Sequence, residues 1–245
     1  MINNPSGIDF IVISVVIPTL NEGKYLGTTL RAIKAQRYGG KVEIIVSDSR
    51  SEDNTREIAR KYGAKVVLSE KSGPAVGRNR GALIAKGDIL VFLDADTIPS
   101  KDLFVCINDT LKKRKDVVGG TCKFLPYKGR FVDWLIYALS NGVARLMIRF
   151  GVPQDPGYCF FYRRKVFEKL GGIRGDLALN ETHDLAIRSK RHGKFVYLNV
   201  PVFTSLRRYR KAGYLCTIWM YLKSTVTYFR TGSVSRIKFK FEPVR

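Results

Sequence analysis

Cysteine is scarce and scattered. Cys106, Cys122, Cys159 and Cys216 are the only four, and no two stand at the spacing of a zinc site or a disulfide framework, so reduced thiols are expected. Acidic residues are also in short supply: 21 Asp and Glu face 43 Lys and Arg, a formal charge of +22. That imbalance calls for an anionic partner such as nucleic acid, phospholipid headgroups or a phosphorylated substrate. Long apolar runs are missing near the start, where Ile11 to Ile17 is too short for a signal peptide or a membrane span and Met1 opens onto polar residues, so no export is expected. Internal repeats, low-complexity tracts and linkers are absent too. What remains, 245 residues with 45% hydrophobic content, is enough to bury one core, and the expectation is a single domain over residues 1–245.

Hydrophobic patterning gives that domain its class. The β-branched run Ile11 to Ile17 ends at Pro18, and Leu26, Leu30 and Ile33 follow at helical spacing, which reads as strand, loop, helix. The pattern recurs with strands at Val42 to Ser47, Lys65 to Leu68 and Asp88 to Leu93, and helices at Asn54 to Tyr62 and Val76 to Lys86. Such alternation predicts an α/β fold with a mostly parallel sheet and helices on both faces, whose ligands sit at the carboxyl ends of the strands. After a helix at Asp102 to Arg114 and a strand near Val117 to Phe124 the alternation decays. Two segments, 131–150 and 213–230, read as amphipathic interfacial helices: the first carries Asn141, Arg145 and Arg149, and the second sets Trp219, Tyr221, Tyr228 and Phe229 beside Lys223 and Arg230. Packing in the core is the other reading of the first segment. Lys238 to Arg245 reads as a basic tail.

The chemistry is carried by carboxylates at predicted strand ends. Asp94 and Asp96, in Leu93-Asp94-Ala95-Asp96-Thr97, suit a hard divalent cation, Mn2+ or Mg2+, whose shell a substrate phosphate completes. Asp48 lies directly at the end of another strand, where a carboxylate can accept hydrogen bonds from a nucleotide base. Ser51, Asp53 and Asn54 in the same loop are equally suited to capping a helix.

Val15-Val-Ile-Pro-Thr-Leu-Asn21-Glu22, Asp48-x-Ser-x-Asp53-x-Thr55, Gly77-Arg-Asn-Arg-Gly81 and Leu93-Asp-Ala-Asp96, in this order and spacing, resemble family 2 glycosyltransferases of the GT-A fold. The resemblance covers roughly Ile11 to Arg210. It implies that 11–115 is a nucleotide-sugar-binding half and 116–210 an acceptor-binding half, and that Pro18, Thr19 and Glu22 line the nucleotide pocket. It further implies that Asp48 reads the base, that Arg78 reaches the nucleotide or its phosphates, that Asp94 faces the ribose or the metal, and that Asp96 holds the cation. Arg207, Arg208 and Arg210 stand where relatives place basic residues near the donor diphosphate, although a basic surface patch would read the same way. Lys123 and Arg130 are weaker candidates for an acceptor phosphate, and Gly157-Tyr158-Cys159-Phe160 is either an acceptor wall or a core strand.

The resemblance also implies a Glu-Asp pair at a helix start, with the Asp as general base. Here the stretch is Glu181-Thr182-His183-Asp184, a departure from the pattern. Asp184 is the first candidate for the base, with His183 open as a ligand or a structural residue, and Glu181 as the alternative acidic group. The resulting expectation is an inverting, metal-dependent transferase, peripheral on the cytoplasmic face of a membrane. GDP-mannose is the favoured donor, UDP-sugars (glucose or N-acetylhexosamine) are the alternative, and the acceptor is a lipid, a lipid-linked sugar or another amphipathic molecule. A nucleotide-sugar-binding relative with weak or no transfer is the other reading that His183 leaves open. Nucleic acid is not expected as a partner, because no patterned basic surface with stacking platforms is present and carboxylate-rich loops repel a phosphate backbone.

Overall fold

The computed structural model describes residues 10–69, 73–177 and 179–231; the basic stretch Lys238 to Arg245 lies outside them. Eight strands form one sheet in the order β3-β2-β1-β4-β7-β6-β8-β5. The first half follows the predicted alternation: β1 (Ile13–Thr19), α1 (Gly23–Lys34), β2 (Val42–Asp48), α2 (Thr55–Lys61), β3 (Lys65–Leu68), α3 (Pro74–Ile84) and β4 (Ile89–Leu93). These strands pair in parallel, as short apolar strands joined by helical crossovers must.

The second half departs from that alternation. β5 (Thr97–Pro99), α4 (Leu103–Lys113), β6 (Val117–Pro126), α5 (Phe131–Arg149), β7 (Cys159–Arg163) and α6 (Arg164–Lys169) are followed by α7 (Glu181–Ser189), β8 (Lys194–Thr204), α8 (Arg207–Ala212) and α9 (Tyr214–Thr231). β7 runs antiparallel between β4 and β6, while β6 and β8 are parallel. The segment Gly157 to Phe160 therefore runs into a central strand. Its pairing also brings Cys122 and Cys159, far apart in sequence, to 3.8 Å between sulfurs, with both thiols free.

Each face of the sheet carries its own core. One buries Leu26, Leu30 and Ile33 of α1 with Phe104 and Ile107 of α4 and Tyr137 of α5; the other buries Ala75 and Ala82 of α3 with Phe167 of α6 and Leu185 of α7. Helix α3 lies close on β1 because of two glycines. A Cβ at Gly81 would come within 2.4 Å of Val16, and one at Gly77 within 3.1 Å of Pro18. This contact fixes where Arg78, between them, points.

Asn141, expected on a polar helix face, turns inward. Its amide donates to the Phe124 carbonyl (2.7 Å) and accepts from the Phe124 N–H (3.1 Å) and the Tyr197 hydroxyl (2.7 Å), clamping α5 to the edge of β6. A buried amide in an otherwise apolar helix is tolerated when its donors and acceptors are matched in this way.

Candidate active site

The loops after β1 and β2 are laced together by their own polar atoms. The N–H groups of Asn21, Glu22 and Gly23 donate to Ser51 Oγ (2.8 Å), Thr55 Oγ1 (2.8 Å) and Asp53 Oδ2 (2.9 Å). Asp53 thus satisfies a free N–H at the start of α1, while Asn54 makes no side-chain cap. Asp48 is fully buried. Its Oδ1 accepts from the Ser51 N–H (2.9 Å), its Oδ2 accepts from Thr19 Oγ1 (3.0 Å) and Ser51 Oγ (2.5 Å), and Arg56 lies 3.7 Å away. The carboxylate expected to read a base therefore already serves as the knot of this loop.

β4 ends in a tight turn in which Thr97 N–H donates to the Asp94 carbonyl, while the Asp94 N–H donates to Tyr158 and Thr29 Oγ1 donates to Ala95. Immediately beyond it, β5 pairs with β8 at Thr97 and Thr204. That pairing delivers α8, and with it Arg207, to the carboxylates. Arg207 grips Glu22 through both Nη atoms (2.9 and 2.5 Å) and reaches Asp96 through Nε (3.0 Å). On the other side, Arg78 donates to Asp94 (2.8 Å), Glu181 (3.2 Å) and the Gly157 carbonyl (3.0 Å), with its guanidinium over the Phe160 ring. Arg78 is buried, and Asp94 and Glu181 outweigh the burial that would lower its pKa, which is raised. It orients acidic groups from within the wall of the site.

Four carboxylates, Glu22, Asp94, Asp96 and Glu181, thus share two guanidinium groups. The excess of negative charge is visible at Asp96. Burial, reinforced by Asp94 and Glu22 and opposed by Arg207, raises its pKa to about 6. Glu22 is likewise raised, by burial first, against the pull of Arg207. An all-oxygen donor set with too little positive charge fits a hard divalent ion. Among the described residues no group of three or more His, Cys, Asp or Glu converges on one point. An ion of this kind would be held by Asp94 and Asp96 and completed by a ligand's own oxygens.

The remaining candidates are distributed around this centre. Asp184 is joined to Arg188 (2.7 Å), Tyr228 (3.0 Å) and Arg174 (3.4 Å), a cluster separate from the Arg78 and Arg207 pairs. His183 accepts the Asp155 N–H at Nδ1 (3.2 Å), and burial lowers its pKa to about 4. Arg208 binds the Tyr221 hydroxyl (2.8 Å) and lies near enough to Asp94 to feel its charge. Arg210 faces outward toward the Lys128 carbonyl (3.5 Å). Lys123 sits on β6, and Arg130 caps α5 in a reciprocal bond with Asp133. The three neighbouring arginines therefore serve three different places.

Asp155 had no sequence signal of its own, and Tyr221, read from sequence as an interfacial aromatic, turns its hydroxyl to Arg208. Asp155 is buried with Oδ1 receiving Gly157 N–H (3.0 Å) and Thr121 Oγ1 (3.2 Å) and Oδ2 without a partner among the described residues. Burial raises its pKa to about 7, against Gly157, Arg78 and Thr121.

Residues 14–171 match the family model described as Glycosyl transferase family 2. The dolichol-phosphate mannosyltransferase of Pyrococcus furiosus is 29% identical over 164 residues, which make up 62% of this chain and 46% of that protein. Mannosyltransferase PcManGT of Pyrobaculum calidifontis, solved with GDP-Man and Mn2+, superposes with a TM-score of 0.64 at 20% identity, covering 89% of this chain and 65% of that one. S. aureus TarS 1-349 with UDP superposes at 0.66 and 18% identity, covering 82% and 63%. The chain spans less than half the length of the curated relatives it matches.

Proposed function

Because the chain belongs to glycosyl transferase family 2, a family of enzymes that move sugars, we propose that it takes a sugar from a nucleotide-sugar donor by an inverting, metal-dependent displacement and places it on a lipid-linked acceptor at a membrane surface. The observation that carries this reading is the pair Asp94 and Asp96 at the end of β4, flanked by Glu22 and by two guanidinium groups. When bound there, Mn2+ or Mg2+ would neutralise the charge that builds on the leaving diphosphate. Arg207 is placed to follow the same charge, since a guanidinium fork matches phosphate oxygens as well as it matches Glu22. Arg78, anchored on the Gly157 carbonyl, holds Asp94 in place. GDP-mannose is the favoured donor, supported by the mannosyltransferases of Pyrococcus furiosus and Pyrobaculum calidifontis among the similar proteins; a UDP-sugar is the second reading, supported by the UDP complex of TarS.

The membrane part of the proposal rests on two helices. α5 is, among the described residues, the one helix long and apolar enough by length and composition to cross a membrane. It packs on the sheet through Tyr137, Asn141 and Ala144 and leaves Phe131, Leu135, Leu139, Leu146 and Phe150 exposed. α9 turns its hydroxyls inward and its apolar groups outward: Thr217 and Ser224 are buried, whereas Leu215 is 85% and Trp219 68% exposed. The Tyr214 hydroxyl donates to Asp133 (2.7 Å) and ties the two helices together. Arg145, Arg149, Lys211, Lys223 and Arg230 are exposed on the same helices or beside them. An outward apolar face with cations around it suits an anionic bilayer surface lying against α5 and α9.

Thermal shifts with GDP, UDP, GDP-mannose and UDP-sugars, with and without Mn2+, test the donor reading. A Mn2+-dependent rise with one nucleotide, lost in Asp96→Asn, is expected; an equal rise without metal would remove the metal from the account.

A further inference from the structure

The first turn of α7 carries two carboxylates, and the structure treats them oppositely. The Asp184 side chain is 4% exposed and has both oxygens engaged, Oδ2 by Arg188 Nε (2.7 Å) and Oδ1 by the Tyr228 hydroxyl (3.0 Å) and Arg174 (3.4 Å). Arg188 is pinned in turn by the carbonyls of Leu170 (2.6 Å) and Gly172 (2.8 Å). Asp184 thereby ties α7 to the loop after α6 and to α9. The Glu181 side chain is 14% exposed, and its Oε1 alone is hydrogen-bonded among the described residues, to Arg78 Nη1 at 3.2 Å. Arg78 holds Asp94 through the other terminal nitrogen (2.8 Å), so Glu181 and Asp94 are one guanidinium's width apart.

The turn that presents Glu181 is stapled in place. Asn180 before it takes the left-handed conformation, φ 64°. Thr182 Oγ1 donates to the Asp155 carbonyl (3.0 Å), and the Asp155 N–H donates to His183 Nδ1 (3.2 Å). His183 is in this sense a positioning residue that locks the 155–157 loop against α7 while Glu181 faces Asp94.

Resting on the transferase reading above, we infer that Glu181, and not Asp184, is the general base toward a hydroxyl acceptor. Its free Oε2 takes the hydroxyl proton as the acceptor oxygen's electron pair forms the bond to the anomeric carbon. The bond from that carbon to the diphosphate oxygen breaks with its electron pair, leaving as nucleoside diphosphate. Arg78 fixes the orientation of the carboxylate, and a group within reach of the proton in a fixed geometry is what general-base catalysis requires.

The test uses the full chain with Mn2+, the donors GDP-mannose, UDP-glucose and UDP-N-acetylglucosamine, and two acceptor probes: octyl glucoside, a neutral hydroxyl, and farnesyl phosphate, already an anion. Nucleoside diphosphate release is followed, with water as the acceptor of last resort. Glu181→Gln should lower kcat toward the hydroxyl or water by about 100-fold or more, leave the donor KM and the Mn2+-dependent thermal shift unchanged, and lower turnover on farnesyl phosphate far less. Asp184→Asn should lower the melting temperature yet keep the kcat of the folded fraction. Undiminished hydroxyl transfer by Glu181→Gln, or loss of transfer by a folded, donor-binding Asp184→Asn, would overturn the assignment. Failure of the unmodified chain to bind or turn over any donor would instead bring down the transferase reading itself.

Discussion

Replacing Arg207 should move two affinities in opposite directions. Its guanidinium bridges Glu22 and Asp96 at 2.5 to 3.0 Å, with side chains that are 24%, 12% and 11% exposed. A cation entering at Asp96 has to displace that pair and also meets its repulsion. At about 4 Å and an effective dielectric of about 20, one charge pair is worth about 4 kcal/mol before screening and relaxation, and about 1 to 2 kcal/mol is a reasonable remainder. Arg207→Met, which keeps most of the apolar stem, should therefore bind Mn2+ about 10-fold more tightly than the parent in the absence of nucleotide. With Mn2+ saturating, GDP or UDP should bind about 10- to 100-fold more weakly, since the charge-assisted contact proposed for Arg207 with the diphosphate would be lost. Isothermal titration of MnCl2, then of each nucleotide, measures both terms on one protein. Weaker Mn2+ binding in the variant would mean that Arg207 supports the cation site instead of competing for it, and the exchange of partners at Asp96 would be refuted.

Other consequences are as direct. His183, with a folded pKa of about 4 against 6.5 when unfolded, contributes stability that is present above pH 6.5 and is lost as pH falls toward 4, so His183→Asn should flatten the acid limb of a urea-denaturation series. Asp155 has the opposite sign: raised to about 7 from 3.8, it stabilises most below pH 3.8, and its contribution is lost as pH rises through 7. Asp155→Asn should therefore gain on the parent by up to about 4 kcal/mol between pH 4 and 8, and a gap independent of pH would remove the buried-acid assignment. Asn141→Ala should cost about 2 to 3 kcal/mol in urea unfolding, because the Phe124 N–H and carbonyl lose their partner in a buried setting. Leu215→Glu with Trp219→Glu should cut sedimentation with anionic vesicles at least 10-fold with little change in melting temperature; unchanged sedimentation would direct the membrane reading away from α9.

The first half of the fold was legible because each strand and helix there carries its own periodicity. β3 begins and ends at the predicted residues, and the other elements shift by one or two, as boundaries do where caps and not periodicity decide the end. Motif order then pointed to the carboxylates at β4, and the structure brings Glu22, Asp94 and Asp96 within reach of one another's charge. The second half was harder because its order comes from long-range pairing. Nothing local in Cys159–Arg163 says that it runs antiparallel between β4 and β6, and nothing around Thr97 says that it pairs with Thr204 and so delivers Arg207 to Asp96. Side-chain partners were the least legible part. Asp48, Arg78 and Asp184 are each consumed by neighbours separated by loops and helices, and Asn141 in an apolar run reads as polar surface until its strand partner is known. Composition did foreshadow the exposed faces of α5 and α9, since apolar and cationic residues interleave along both.

The proposed transfer depends on a cation-dependent nucleotide site at the end of β4. Titrating GDP and UDP into the chain in Mn2+, in EDTA, and into Asp96→Asn in Mn2+ tests it most directly. One nucleotide should bind in Mn2+, with a loss of about 100-fold or more in both other conditions. Equal affinity in all three would contradict that dependence.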